Sequence, residues 1–376
     1  MITMGPNDPM PRSAAPPRWT RRGFLGLAGG VGGALLLGGC GGAADRKDSG
    51  GLTFFYSEGA GQDVVPKKLI GAFEGKHPDV RIASITGGSR VPEIMAAYKA
   101  SKKALVNVGI FTASAIAQGQ AMSMFRQLGD ADVPRAGKAD PAYRLFGQSA
   151  VPFNTNLVGL VYRGDRIEAP TSWLDLLDPK YKGKVGLYDA PQGILLGGLY
   201  AVNDALGGDP VTLDKGFEAF AKAAKAGQFS TIYNSNQTQY DAFARGDCVI
   251  GASILATQAA WAAQGAKIGY APPKEGQLAV PLYLAIVQSS SAAQATSGLE
   301  LLNSALEPAN VAEYNRLTVA GSVYADVPAS AEQAKMAAFS TEAMQRVRQI
   351  DWKRQTEVQA KLVDRWNRDI KSNLSS

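Results

Sequence analysis

The sequence predicts an α/β protein of two lobes, each a mixed and mostly parallel sheet flanked by helices. Three observations predict it. Short β-branched and aromatic runs alternate with amphipathic helical stretches, the rhythm of a parallel sheet whose loops gather at the strand ends. That rhythm breaks and restarts near the middle of the chain. The 376 residues, 45% hydrophobic and 19% charged, also match two domains at about 150 residues each with apolar material for two cores.

Leu52-Thr53-Phe54-Phe55-Tyr56 is a compact apolar run and reads as the first strand. Pro66 opens a helix with Leu69, Ile70 and Phe73 on one face, ending near Gly75 and Pro78. A strand over 80–85, a helix from Pro92 through Tyr98 and a strand at Val106, Val108 and Ile110 complete the first unit. The restart brings a strand at 157–162, a short helix from Thr171-Ser172-Trp173, a strand at 185–188 and a helix carrying Leu195, Leu196, Leu199 and Val202. Strands at 229–233, 248–253 and 267–271 and Ala-rich helices at 215–226 and 256–264 fill the second lobe. A strand over 278–287 leads to helices at 291–306, 308–316 and a long one over 342–371, with Met344, Val347, Ile350, Leu362, Trp366 and Ile370 as its buried stripe. The pattern gives two lobes joined by extended strands; the return of the second crossing to the first lobe, dividing the chain into 52–150 plus 285–376 and 157–277 with crossings at 151–156 and 278–284, is in part what the resemblance given below implies.

The first 39 residues are of another kind. A basic stretch ends in Thr20-Arg21-Arg22-Gly23-Phe24-Leu25, a Gly-rich apolar run over 25–37 is too short for the roughly 20 residues of a membrane-spanning helix, and Leu37-Gly38-Gly39-Cys40 opens a polar linker to Gly51. The paired Arg21 and Arg22 resemble a twin-arginine export signal, and Leu-Gly-Gly-Cys resembles a lipobox with Cys40 as the lipidated residue. Four arginines against one aspartate put half of the net charge of +6 in this leader. The remaining cations are interleaved with acids, which excludes a nucleic-acid footprint. With Cys40 lipidated, Cys248 stands alone beside a strand, where a buried inert thiol is favoured over a nucleophile.

One histidine, His77 in Lys-His-Pro at a helix end, excludes His-based triads and two-histidine zinc sites and suits a capping role. No Gly-x-Ser-x-Gly elbow or cysteine cluster is present, so the reading is a non-enzyme without cofactor or metal.

Residues 170–185, Pro-Thr-Ser-Trp-Leu-Asp-Leu-Leu-Asp-Pro-Lys-Tyr-Lys-Gly-Lys-Val, resemble solute-binding proteins of ATP-driven importers, in the group that handles polyamines, iron and other small solutes. Phe73 to Val80, Val151 to Asn156, Pro273-Lys274-Glu275-Gly276 and Leu301-Leu302-Asn303 through Glu307-Pro308 support it. The resemblance implies the type II periplasmic-binding fold with a ligand cleft between the lobes, no catalysis, and an ABC permease and ATPase as partners. With the lipobox it implies a lipid-anchored protein of the cell envelope. In the Pro-Thr-Ser-Trp stretch, Thr171 or Ser172 is expected to cap the helix and Trp173 to pack. A ligand-sensing envelope lipoprotein and an exported enzyme are the alternatives.

The same resemblance weighs against its best-known ligands. Ser57-Glu58 stands where a Trp-Thr pair would begin a polyamine site, Ile254 replaces an aromatic, Val280-Pro281-Leu282 replaces Trp-x-Asp, and the usual acidic companion of Asp189 is Gln192. No Tyr-Tyr pair offers phenolates to iron. The candidate cleft is Ser57, Glu58, Gly88, Ser89, Arg90, Thr112 and Ser114 from one lobe, facing Asp189, Gln192, Ser253 and Thr257, with Tyr283 on the crossing strand. Gly87-Gly88-Ser89 ahead of a helix suits a carboxylate, with Arg90 either adding charge or solvated beside a tight turn. Glu58 is either a partner for a cationic or hydroxyl group or a surface carboxylate, and Tyr283 either a ring wall or hinge packing. A small polar solute, zwitterionic in one form, fits these groups.

Overall fold

The computed structural model describes residues 51–58, 61–87, 90–190 and 197–374. Arg21, Arg22, Cys40, Gly88, Ser89 and Gln192 lie outside the described residues, as does the linker up to Gly50.

In the first lobe β1 (Leu52–Tyr56) lies parallel to β2 (Ile82–Thr86) and β3 (Val108–Thr112), with α1 (Val64–Lys76) and α2 (Val91–Ser101) as the crossovers. Strand alternation sends Phe54 and Tyr56 to the cluster of Leu69, Phe73, Val108 and Leu302, and Phe55 to the opposite face against Phe111. His77 is the C-cap of α1: its backbone N–H donates to Phe73 O, its ring lies on Phe73 and its Nε2 meets Glu300 at 2.8 Å. In the second lobe β5 (Val185–Tyr188) pairs parallel with β6 (Phe229–Tyr233) and β7 (Ile250–Ile254), while β8 (Ile268–Ala271) sits on the edge.

The extended crossing at 151–156 and the strand expected at 157–162 are one continuous strand, β4 (Val151–Arg163). It pairs antiparallel with β9 (Leu278–Ile286) from Val151↔Leu284 to Val158↔Leu278, with a bulge between Pro152 and Asn154. β9 continues into β3 and β4 continues into β7, so hydrogen bonding is unbroken in the order β2-β1-β3-β9-β4-β7-β5-β6.

The helices are α3 (Ala113–Ala121), α4 (Leu199–Ala205), α5 (Asp214–Lys225), α6 (Asn236–Arg245), α7 (Leu255–Ala263), α8 (Ala292–Ala305), α9 (Pro308–Thr318), α10 (Thr341–Gln345) and α11 (Trp352–Asp369). Two of them escape the sequence reading. α3 is built of small residues without a large apolar stripe and is started by Thr112, whose Oγ1 accepts from Ala115 N. α6 is polar over most of its length and is held by a Ser235/Thr238 capping box and Gly246 in the left-handed region.

The long helix expected over 342–371 is broken. Arg348 N donates to Gln277 O and Ala279 N donates to Arg348 O, so residues 346–351 spend backbone hydrogen bonds on the start of β9. Arg346 O comes so close to Gly276, at φ +109°, that a Cβ there would sit 1.8 Å away. α11 packs mainly on α3 and, less extensively, on α5, where Arg365 pairs with Asp214 and lies over the Phe217 ring.

The Pro-Thr-Ser-Trp stretch is structural, as expected. Ser172 caps the 3-10 turn Trp173–Leu177 in a reciprocal box with Asp175. Its hydroxyl also donates to Glu275, whose other oxygen accepts from Trp173 N, and Trp173 Nε1 donates to Gly276 O at 2.8 Å. Two distant stretches that carried the resemblance are thus one hydrogen-bonded knot. Cys248 is buried and free, and burial pushes its thiol up to about 12.

Candidate functional site

Of the first-lobe candidates, Ser57, Glu58, Arg90, Thr112 and Ser114 are among the described residues. Ser57 and Glu58 follow β1, with Glu58 exposed. Thr112 closes β3 and spends its hydroxyl oxygen on the α3 cap, while Ser114 Oγ accepts from Gln118 Nε2 at 3.2 Å. Arg90, at the N-cap of α2, is exposed and pairs with Glu93 one turn on, which is the solvated alternative.

Three of the other candidates are committed to the protein itself. Tyr283 is 0% exposed, donates its hydroxyl to Tyr143 O and meets Phe146 edge-on, so it is hinge packing and not a ring wall. Ser253 is buried and donates to Gln239 Oε1, because β7 alternation turns it toward the lobe interior. Asp189, at the end of β5, accepts from Ala190 N and Trp366 Nε1 on Oδ1 and from Lys371 Nζ on Oδ2 at 2.6 Å. Thr257 lies in the first turn of α7 and is nearly buried.

The structure adds a set that the sequence reading passed over. Gln355 on α11 is 3% exposed, and neither its Oε1 nor its Nε2 has a hydrogen-bond partner among the described residues. The same holds for Trp352 Nε1, for Gln349 Oε1 and for both side-chain atoms of Asn154, on the crossing strand. Arg135 Nε and both side-chain atoms of Asn315 on α9 are unpaired as well. A buried polar group left unpaired costs roughly 1–3 kcal/mol, so each of these groups calls for a partner from outside the chain, water or ligand. Nearby, burial raises the Tyr143 hydroxyl pKa above its usual value, with Gln349 and Thr155 opposing. A Trp and two Gln around a helix break are the available sequence signal, but their lack of partners is a tertiary property.

Two hollows lie elsewhere. One of about 430 Å³ is lined by Tyr162, Pro170, Tyr270, Pro273 and Arg346, and one of about 620 Å³ runs between Gln118 and Met122 of the α3 side and Lys353 and Glu357 of α11. Among the described residues no group of His, Cys, Asp and Glu could hold a metal ion, and no helix is long and apolar enough to cross a membrane.

A family model for bacterial extracellular solute-binding proteins matches residues 68–341. The chain belongs to that family. As such a protein it is the substrate-binding component of an ABC import system, exported to the cell envelope and delivering a small solute to a membrane permease; it is a binding protein rather than an enzyme. Its fold is similar to that of an ABC transporter from Clostridium perfringens, at 20% identity and TM-score 0.69, covering 85% of this chain and 99% of that one. An ABC transporter substrate-binding protein from Bradyrhizobium japonicum is similar at 17% identity and TM-score 0.70, covering 86% and 99%. A spermidine/putrescine ABC transporter substrate-binding protein from Streptococcus pneumoniae is similar at 16% identity and TM-score 0.65, covering 84% and 99%. No curated protein matches the sequence of this solute-binding protein. These likenesses are to the type II periplasmic-binding architecture that residues 170–185 suggested.

Proposed function

We propose that this protein captures a small, polar, uncharged or zwitterionic solute between its lobes. The observation that carries the reading is the unmet hydrogen-bonding capacity of Gln355, Trp352, Gln349 and Asn154, buried on the crossing strand and on the segment entering α11. Three primary amides and an indole N–H offer donors and acceptors without net charge, which suits hydroxyl, amide or paired ammonium and carboxylate groups. Glu58, Ser57, Thr112 and Ser114 would contribute from the first lobe, and Thr257 with Asp189 and Gln192 from the second, with Gly88 and Ser89 as the sequence's candidates for a carboxylate. Closure follows from tighter binding to the closed form.

In this proposal the first lobe is 52–150 with the segment from 285 to α10, and the second is 157–277 with α11. The contacts of Arg365 to Asp214, Lys371 to Asp189 and Arg348 to Asp204 support the revision. Arg21, Arg22 and Cys40 belong to a twin-arginine leader and a lipid anchor, supported by their order and spacing.

Protein purified without denaturation from its native envelope and sprayed intact into a mass spectrometer tests the reading. A retained neutral or zwitterionic solute of small mass is expected. A retained polyamine, metal complex or catalytic cofactor would overturn it.

A further inference from the structure

A carboxylate at the end of β5 is the second lobe's one acidic candidate in the cleft, yet it is already occupied by a cation of the same chain. Asp189 Oδ2 accepts from Lys371 Nζ at 2.6 Å, and Oδ1 accepts from Trp366 Nε1 at 3.3 Å and Ala190 N at 2.9 Å. Three donors leave the carboxylate little spare capacity. Around it Arg365 pairs with Asp214 and Asp369, and Arg368 with Asp369, so the corner holds three carboxylates against three cations.

We propose that Lys371 is a specificity-determining residue: its ammonium fills the position on Asp189 that a ligand ammonium would take, and so makes the cleft refuse cationic solutes. The inference rests on the reading of Asp189 as a cleft residue. Physically, an incoming amine must displace a tethered one, and its apparent affinity falls by the fraction of Asp189 that is free. Lys371 is 48% exposed on its side chain while Asp189 is 23% exposed, so the pair is not locked in the core and the exchange can take place at the surface. A carboxylate without its tethered partner is a charge-assisted acceptor for an alkylammonium. Trp366 stays in place in either state, because its ring is buried and only its indole N–H reaches Asp189.

The test is calorimetric titration of full-length protein with 1,4-diaminobutane. Lys371→Met is expected to bind the diamine about fivefold tighter than wild type or better, the scale of one partly exposed ion pair. Lys371→Arg, which keeps the cation, is expected to match wild type, and the Asp189→Asn/Lys371→Met double variant is expected to lose the gain. Lys371→Gln reads the same gain if the Met variant does not fold. A folded Lys371→Met or Lys371→Gln protein that binds the diamine no tighter than wild type overturns the inference. Wild-type melting with neutral and zwitterionic solutes separates the two levels. If some solute raises it while neither variant gains the diamine, only the role of Lys371 falls; if no solute raises it either, the reading of the cleft falls as well.

Discussion

Gln239 and Gln355 are both buried glutamines on helices of this protein, and they are opposites. Gln239 is 0% exposed and fully engaged: its Oε1 accepts from the Tyr188 and Ser253 hydroxyls, and its Nε2 donates to Tyr233 Oη and Ala252 O. Gln355 is as deeply placed and has no partner for either atom among the described residues. The first belongs to a polar network that fixes one lobe. The second is unpaired, and under the proposed function that capacity serves a ligand. The difference teaches where to look for a ligand in this molecule: at groups whose burial nothing in the chain compensates, and not at every polar residue near a strand end.

If the paired regions are scaffold and the unpaired one is site, substitutions should separate stability from binding. The largest effect is expected at Gly276→Ala in the knot of Trp173 and Glu275. A Cβ there collides with Arg346 O and the backbone is held at φ +109°, so a loss of roughly 4 kcal/mol in chemical unfolding is expected. Gln239→Leu comes next, at roughly 3 kcal/mol, because it strands the Ser253 hydroxyl and takes a donor from Tyr233 Oη and Ala252 O in the interior. Trp173→Phe removes the single bond to Gly276 O and should cost roughly 1–2 kcal/mol by the same measurement.

Cys248 gives no effect near neutral pH and a pH signature above it. Burial raises its thiol from 9.0 to about 12, so in the pH range between those values the unfolded chain loses a proton that the folded one keeps. Its contribution to stability is therefore fully present below about 9 and lost as pH rises toward about 12. Iodoacetamide at pH 8 should leave native protein unlabelled and label it in denaturant; rapid native labelling would place Cys248 in an open site instead.

The scaffold was more legible in the sequence than the site, for a physical reason. The strands at 52–56, 185–188 and 229–233 lie where the apolar runs put them, since β patterning is local. The break at 346–351 was not legible, because Arg348 leaves the helix to pair with residues 277–279, far away in the chain. Ser253 and Tyr283 were chosen for their residue type and strand position, and both turn into the interior, where Gln239 Oε1 and Tyr143 O accept hydrogen bonds from their hydroxyls. For Gln355 and Asn154 the residue type is visible in the sequence, but their lack of partners is not. Whether a buried amide finds a partner is decided by packing between segments that the sequence leaves unaligned.

The most direct test of the account is the melting temperature of wild type and Gln355→Leu across neutral and zwitterionic small solutes, with scattering to read closure. Without solute the variant should be as stable as wild type or slightly more so, since an apolar group of similar size replaces an unpaired amide. At least one solute should raise wild-type melting and compact the molecule while leaving Gln355→Leu unmoved. A variant that is destabilised like Gln239→Leu, or that responds to the same solute as fully as wild type, would contradict the claim that Gln355 is held open for a ligand.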